Sequence, residues 1–256
     1  MSATQDGQLA VVGLGPGFAG WITPEASALI EAASDLVGYA PYLARCPERP
    51  FQRRHASDNR VEIERARLAL RLAQEGRRVA VVSGGDPGVF AMAAAVFEAL
   101  EDGPPEWRAL DIHVSPGVSA MQAAAARLGA PLGGDFCAIS LSDNLKSWAT
   151  IEKRLRAAAE GDFVIALYNP ASKARPNRIF DAFALLRAEK SGGTPVIFAR
   201  NVGRAEESIR IDTLAGADPG AADMSTLALI GSSQTRLIER PGAAPYVLTP
   251  RGRVCA

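Results

Sequence analysis

Short β-branched apolar runs alternate with stretches of helical spacing along most of the chain. Val79-Ala80-Val81-Val82 is apolar at every position, as in a strand buried on both faces. Helical spacing resumes over 89–100. Upstream, 9–12 reads as a first strand, and Thr23-Pro24-Glu25 as a helix start with a Thr cap and Pro in the first turn. Asn59, with Glu62 three residues on, predicts the N-cap of an Arg- and Glu-rich helix running to Gly76 with a solvated charged face. The stretch 52–58 before it reads as a polar loop. Residues 110–114 form another strand, where His113 reads as a packed residue, and an Ala-rich helix ends near Leu128.

The rhythm then restarts. Strands are predicted over 136–141, 163–168, 195–199, 208–211 and 226–230, and helices over 148–159 and 176–189. The last strands are expected to be antiparallel, because no helix-length segment separates 195–199 from 208–211. Alternation of this kind means an α/β architecture. Between the halves, 129–135 holds three glycines and a proline in seven residues and reads as a linker. The expected division is a domain over 1–128, the linker 129–135, and a domain over 136–256.

Three of these strands end in glycine- and proline-rich turns. They are Gly13-Leu14-Gly15-Pro16-Gly17, Gly84-Gly85-Asp86-Pro87-Gly88 and Ser115-Pro116-Gly117-Val118-Ser119-Ala120. Such turns leave bare backbone at the carboxyl edge of a sheet, where open α/β folds hold ligands. The second turn equally suits a tight connection with Gly where φ is positive and Pro at the first helical position. A dinucleotide site is disfavoured. Pro16 removes an amide where a pyrophosphate needs one, and the expected acidic strand end is absent after it.

Composition narrows the classes. With 28 basic and 28 acidic residues the formal charge is zero, which speaks against a protein living on phosphate contacts with nucleic acid. Cys46, Cys137 and Cys255 are scattered without metal-ligand spacing and read as reduced thiols of a cytosolic protein. No window approaches the roughly 18 apolar residues of a membrane span, and residues 1–9 show no signal-peptide pattern. A cytoplasmic protein without a metal is the expectation.

Two later loops carry more chemistry. One, Ser140 to Trp148, gathers hydroxyls, Asp143 and Lys146. The other, Tyr168-Asn169-Pro170, precedes Lys173, Arg175 and Arg178. Cations at a helix start oppose the helix dipole, which favours an anionic ligand there; helix capping by Ser142, Asp143 or Ser147 accounts for the first loop equally well.

Together, Gly13 to Gly17, Gly84 to Pro87, Pro116 to Ala120 and Leu167 to Pro170 stand in the order of the tetrapyrrole (precorrin) methylases, and the resemblance runs from about Leu9 to Ser233. Within that family, 138–143, 167–170 and Val37-Gly38-Tyr39 are most similar to the precorrin-3B methyltransferases. The resemblance implies two α/β domains with mixed, mostly parallel sheets, S-adenosylmethionine in the cleft between them, and a homodimer. It implies methylation of carbon 17 of precorrin-3B with ring contraction to precorrin-4, in cobalamin synthesis. By match of motif, Pro16, Gly84, Gly85, Asp86, Val89, Ser119, Ala120, Tyr168, Asn169, Val202, Thr226 and Leu227 would line the cofactor, and Gly15 and Gly17 the substrate.

For such a substrate, Arg53, Arg54, Lys173, Arg175 and Arg178 are candidates to meet its carboxylates, since Arg presents paired donors. Ring contraction needs a proton acceptor, with Asp143 first, His55 second and Ser140 orienting. The alternatives are another precorrin or cobalt-precorrin methyltransferase, RNA methylation on the same fold, a nucleotide-binding oxidoreductase, and a ligand sensor without turnover.

Overall fold

The computed structural model describes residues 7–59, 61–171 and 176–252. The chain divides between Ser119 and Ala120 into two units.

The first unit contains β1 (Gln8–Gly13), α1 (Pro24–Ala32), β2 (Asp35–Tyr39), α2 (Ala40–Leu43), β3 (Arg53–Ser57), α3 (Glu62–Gln74), β4 (Arg78–Ser83), α4 (Met92–Glu101) and β5 (Asp111–Ser115). Its sheet has the order β3-β2-β4-β1-β5 and is wholly parallel. Side chains of β4 alternate between its faces. Val79 and Val81 join Leu9, Val11 and the α3 and α4 residues Leu70 and Val96 in one core layer. Ala80 and Val82 join Val12, Leu36 and the α1 residue Ile30 in the other. Burying each such Val or Leu side chain contributes about 1.5–3 kcal/mol, so this sheet is the scaffold on which the turns sit. β1 continues through α1 to β2 on one side, whereas its neighbour β4 continues through α4 to β5 on the other. Adjacent strands with diverging connections make a topological switch point at their carboxyl ends.

Several expectations are corrected in this unit. The stretch 52–58 is not a loop. It contains the edge strand β3, whose exposed Arg53 and part-exposed Arg54 and His55 mask its period. Helix α3 begins at Glu62 behind Val61, with no side-chain cap bond, so Asn59 is not its cap. Its charged face is not wholly solvated, because Arg65 is 5% exposed and donates to Ser57 Oγ, the Asp58 carbonyl and Met92 Sδ. His113 is half-exposed and bonds Glu25 instead of packing inward. Helix α4 starts at Met92, three residues later than the spacing implies, because Phe90 is left-handed (φ 53°) and Ala91 extended.

The second unit contains α5 (Ala120–Leu128), β6 (Gly129–Ala130), β7 (Phe136–Ser140), α6 (Trp148–Glu160), β8 (Val164–Tyr168), α7 (Arg178–Glu189), β9 (Pro195–Arg200), β10 (Ser208–Thr213), β11 (Thr226–Ile230), β12 (Arg236–Arg240) and β13 (Ala243–Leu248). The main sheet is mixed, in the order β10-β9-β11-β8-β7. β7 and β8 are parallel, and β11 runs antiparallel to both of its neighbours, as β10 does to β9. Helices α6 and α7 cover it through Ile151, Leu155, Phe183 and Leu186.

Residues 129–135 do not form a free linker. Gly129 and Ala130 pair in parallel with Val247 and Leu248 of β13, and Thr249 donates from its amide to the Ala130 carbonyl and from its hydroxyl to that of Pro131. Helix α5 packs against β6, β11 and β13, which carries the division back from residue 128 to Ser119.

Candidate functional site

At the switch point of the first sheet, main chain meets main chain. Gly15 (φ 63°) and Gly85 (φ 69°) exchange two amide–carbonyl bonds of 3.2 and 3.0 Å, joining the β1 and β4 turns. A Cβ on Gly13 would lie 2.8 Å from Gly117 Cα and from the Gly85 carbonyl, and one on Gly117 would lie 2.5 Å from that carbonyl. Only glycine permits this approach. Asp86 fastens the same corner, since its carboxylate accepts from the amides of Gly88 (2.8 Å) and Gly117 (2.9 Å). The Cα face of Gly85 is open, because a Cβ there would meet only the Val118 carbonyl, 4.0 Å away.

Arg45 completes this corner, and no local pattern announces it. Its guanidinium donates to the carbonyls of Leu14, Gly15 (2.9 Å) and Gly17 (3.4 Å), gripping the turn on both sides of Pro16. Arg54 acts similarly one step back. It donates to the carbonyls of Leu43, Cys46 and Pro47, which corrects its expected role as a substrate cation. His55 is also corrected. Its Nε2 lies 2.8 Å from Asp35 Oδ1, and Asp35 starts β2 at the amino edge, opposite the glycine turns. Arg53 starts β3 at that same edge. Asp35 also accepts from Ser34 Oγ and Arg77. Burial pushes its carboxyl up, but the bonds from His55 and Ser34 and the charge of Arg77 outweigh that and hold it below the ordinary carboxylate range. A groove of about 310 Å³ lies at this amino edge, lined by Gln8, Ala33, Arg78, Asp111 and His113. It is the wrong end of a parallel sheet for a ligand.

In the second unit the ends of β7, β8 and β9 and the start of β11 share one edge. Asn169 follows β8 in the left-handed region (φ 52°) and donates from Nδ2 to Ser140 Oγ at 2.9 Å. Tyr168 OH accepts from the Met121 amide. Asp143 is engaged by Arg178, whose Nε and Nη2 reach its Oδ2 at 2.8 and 2.7 Å, while the same guanidinium lies 4.6 Å from the Trp148 ring centroid. The hydrogen bond that Arg178 donates to Asp143 pushes its guanidinium further up. The expected base and one expected substrate cation are therefore each other's partners. Thr226 donates its hydroxyl to Asp223, which Arg200 also holds. Val202, Thr226 and Leu227 are buried. Lys173 and Arg175 lie outside the described residues. Among the described residues no three of His, Cys, Asp and Glu gather at one point, and no helix is long and apolar enough to cross a membrane.

Residues 8–218 match the family model of the Tetrapyrrole (Corrin/Porphyrin) Methylases. The chain belongs to this family. A Precorrin-3B C(17)-methyltransferase of Sinorhizobium sp is 56% identical over 245 residues, covering 96% of each chain. The Cobalamin biosynthesis protein CobIJ of Mycobacterium tuberculosis is 50% identical over 96% of this tetrapyrrole methylase, which spans 48% of that longer protein. The crystal structure of the methyltransferase CobJ matches with a TM-score of 0.90 and 51% identity, over 95% of this chain and 100% of that one. A uroporphyrin-III C-methyl transferase from Thermus thermophilus, complexed with S-adenyl homocysteine, matches with a TM-score of 0.66 over 88% of this chain and 92% of its own. At 21% identity that last likeness bears on the fold alone.

Proposed function

We propose that this tetrapyrrole methylase transfers a methyl group from S-adenosylmethionine to carbon 17 of precorrin-3B and contracts the ring to precorrin-4, in cobalamin biosynthesis. The carrying observation is the 56% identity, over 96% of both chains, with a relative of that name. A cofactor of this shape fits the first unit's carboxyl edge, where the open face of Gly85 lies beside turns that no Cβ could enter. When bound, the cofactor supplies a methyl already activated by its positive sulfur.

The chain's own contribution to methyl transfer is then position. The Gly15–Gly85 bridge and Arg45 hold Pro16, Asp86 fixes the corner, and Gly84, Val89 and Ser119 complete the first unit's share of the cofactor site. Ala120, Tyr168, Asn169, Val202, Thr226 and Leu227 are assigned to it from the second unit. Holding reactants in line contributes roughly 7–11 kcal/mol in favourable cases. Gly15, Gly17, Lys173, Arg175 and Arg178 are assigned to the substrate and its acidic side chains.

Ring contraction asks for a proton acceptor worth roughly 100- to 10,000-fold in rate. Asp143 is assigned to it, oriented by Arg178, while Ser140 positions Asn169. Arg178 holds Asp143 through Oδ2, and an arriving substrate carboxylate can compete for the same guanidinium. The enzyme is assigned to the cytoplasm as a homodimer.

The test is to incubate the purified protein with precorrin-3B and S-adenosylmethionine and follow mass and absorbance. Gain of one methyl group with the spectral change of a contracted ring is expected. Recovery of unmethylated substrate contradicts the reading.

A further inference from the structure

In the second sheet β8 and β9 flank β11, and each is followed by an asparagine in the left-handed region. These are Asn169 after β8 and Asn201 after β9, both at φ 52°. Asn enters that region readily, so forming the turn is one reason for each of them. Their carboxamides differ. Asn169 donates from Nδ2 to Ser140 Oγ at 2.9 Å, whereas the Asn201 carboxamide has no hydrogen-bond partner among the described residues. The other polar side chains at these strand ends are engaged. Tyr168 OH accepts from the Met121 amide, and Arg200 and Thr226 both donate to Asp223.

The main chain that carries Asn201 is fixed. Its amide donates to the Ser225 carbonyl at 3.0 Å, and its carbonyl accepts from the Arg204 amide at 2.9 Å. Two residues on, the Gly203 amide donates to Glu207 at 2.6 Å, and Arg127 of α5 reaches the same carboxylate at 2.8 and 3.3 Å. The loop is thus braced from inside and from a neighbouring helix. A half-buried carboxamide with its donor and acceptor both unused, on a backbone already held, is pre-organised for a ligand.

We infer that Asn201 is a cofactor-binding residue, whose carboxamide hydrogen-bonds the adenine of the methyl donor. This rests on the proposed function, which assigns the adjacent Val202 and the neighbouring Thr226 to the cofactor. A carboxamide presents a donor and an acceptor side by side. An adenine edge presents the complement, an amino donor beside a ring-nitrogen acceptor, and Asn pairs with adenine in this way when proteins read nucleic-acid bases. A substrate carboxylate only accepts, so it would leave Asn201 Oδ1 unused.

The experiment is a calorimetric titration of the wild type and Asn201→Gly with two probes, S-adenosylhomocysteine and its analogue lacking the exocyclic amino group of adenine, with the melting temperature measured without ligand. Glycine keeps the left-handed backbone and removes only the carboxamide. Asn201→Gly is expected to bind S-adenosylhomocysteine about tenfold more weakly, at an unchanged melting temperature. The wild type should bind the analogue about fivefold more weakly than S-adenosylhomocysteine, and the variant should distinguish the two by less than about twofold. Unchanged S-adenosylhomocysteine affinity in the variant overturns the inference and leaves Asn201 as a turn former. A weakened variant that still discriminates as the wild type does overturns it too, because the contact is then not with the adenine edge. So does a lowered melting temperature with both probes weakened equally, which would make the role structural. A wild type that binds neither probe sinks the proposed function itself, a result distinct from a variant that equals a working wild type.

Discussion

At the carboxyl edge of the first sheet, Gly13, Gly85 and Gly117 press main chain against main chain. At the same edge of the second sheet, Ser140, Asn169, Asp143 and Arg178 meet through side chains. The first edge has its shape dictated by what is missing, since a Cβ on Gly13 or Gly117 would collide with backbone that cannot swing aside. At the second edge the Asp143–Arg178 pair is partly exposed and lies beyond the strands, so it can be altered without touching the sheet. Substitutions at the first edge should therefore cost stability and cofactor affinity together, and those at the second should cost chemistry at nearly constant stability.

The largest effect is expected for Gly117→Ala. Its Cβ would sit 2.5 Å from the Gly85 carbonyl and 2.9 Å from Gly13 Cα. Forcing these turns apart should cost about 3 kcal/mol, read from urea unfolding, with S-adenosylhomocysteine binding lost as well; a stable variant that still binds breaks the contrast. Next comes Arg45→Ala. Losing a charged donor to the Leu14, Gly15 and Gly17 carbonyls should cost about 2 kcal/mol and weaken S-adenosylhomocysteine binding. Arg45→Lys, which can satisfy fewer carbonyls at once, should fall between the two.

Asp143→Asn should lie near the other extreme. The Asp143–Arg178 pair is partly exposed, at 17% and 32% for its two side chains, so unfolding free energy should move by no more than about 1 kcal/mol. Product analysis should nevertheless show ring contraction impaired; contraction at the wild-type rate removes Asp143 from the chemistry. The smallest effect is expected from pH at the amino edge, away from both sites. The carboxyl of Asp35 is lower in the folded chain than in the unfolded one, so its stabilisation is present at neutral pH and is lost as pH falls through its folded value. Urea midpoints measured from pH 7 downward should fall more steeply for the wild type than for Asp35→Asn, while S-adenosylhomocysteine affinity at neutral pH stays the same in both.

Much of the backbone edge was legible in the sequence, because glycine and proline report local geometry directly: the turns at 13–17, 84–88 and 115–120 end β1, β4 and β5 as their spacing implies. What escaped depended on reach. Arg45 grips carbonyls some 30 residues away, and Arg65 is buried on a helix whose composition looks solvated. Neither leaves a periodic trace. Strand β3 escaped because an edge strand keeps its charges outward, and the β12–β13 hairpin because β12 is exposed at every position and so shows no alternation. His55 reads as a site residue only while 52–58 reads as a loop; in the fold it sits mid-strand in β3 opposite Val37, with its Nε2 on Asp35 at the amino edge. Phe90 hid the true start of α4, since a single left-handed residue does not disturb an apolar pattern.

The central claim is that backbone at the Gly85 corner holds the methyl donor, and one calorimetric titration of Gly85→Ala with S-adenosylhomocysteine tests it most directly. The added methyl would project into space where only the Val118 carbonyl approaches, at 4.0 Å, and the positive φ adds strain of roughly 1–2 kcal/mol, so the fold should survive. A folded variant with affinity lowered about tenfold or more, equivalent to at least about 1.4 kcal/mol, is the predicted result. A folded variant that binds S-adenosylhomocysteine as tightly as the wild type would contradict it.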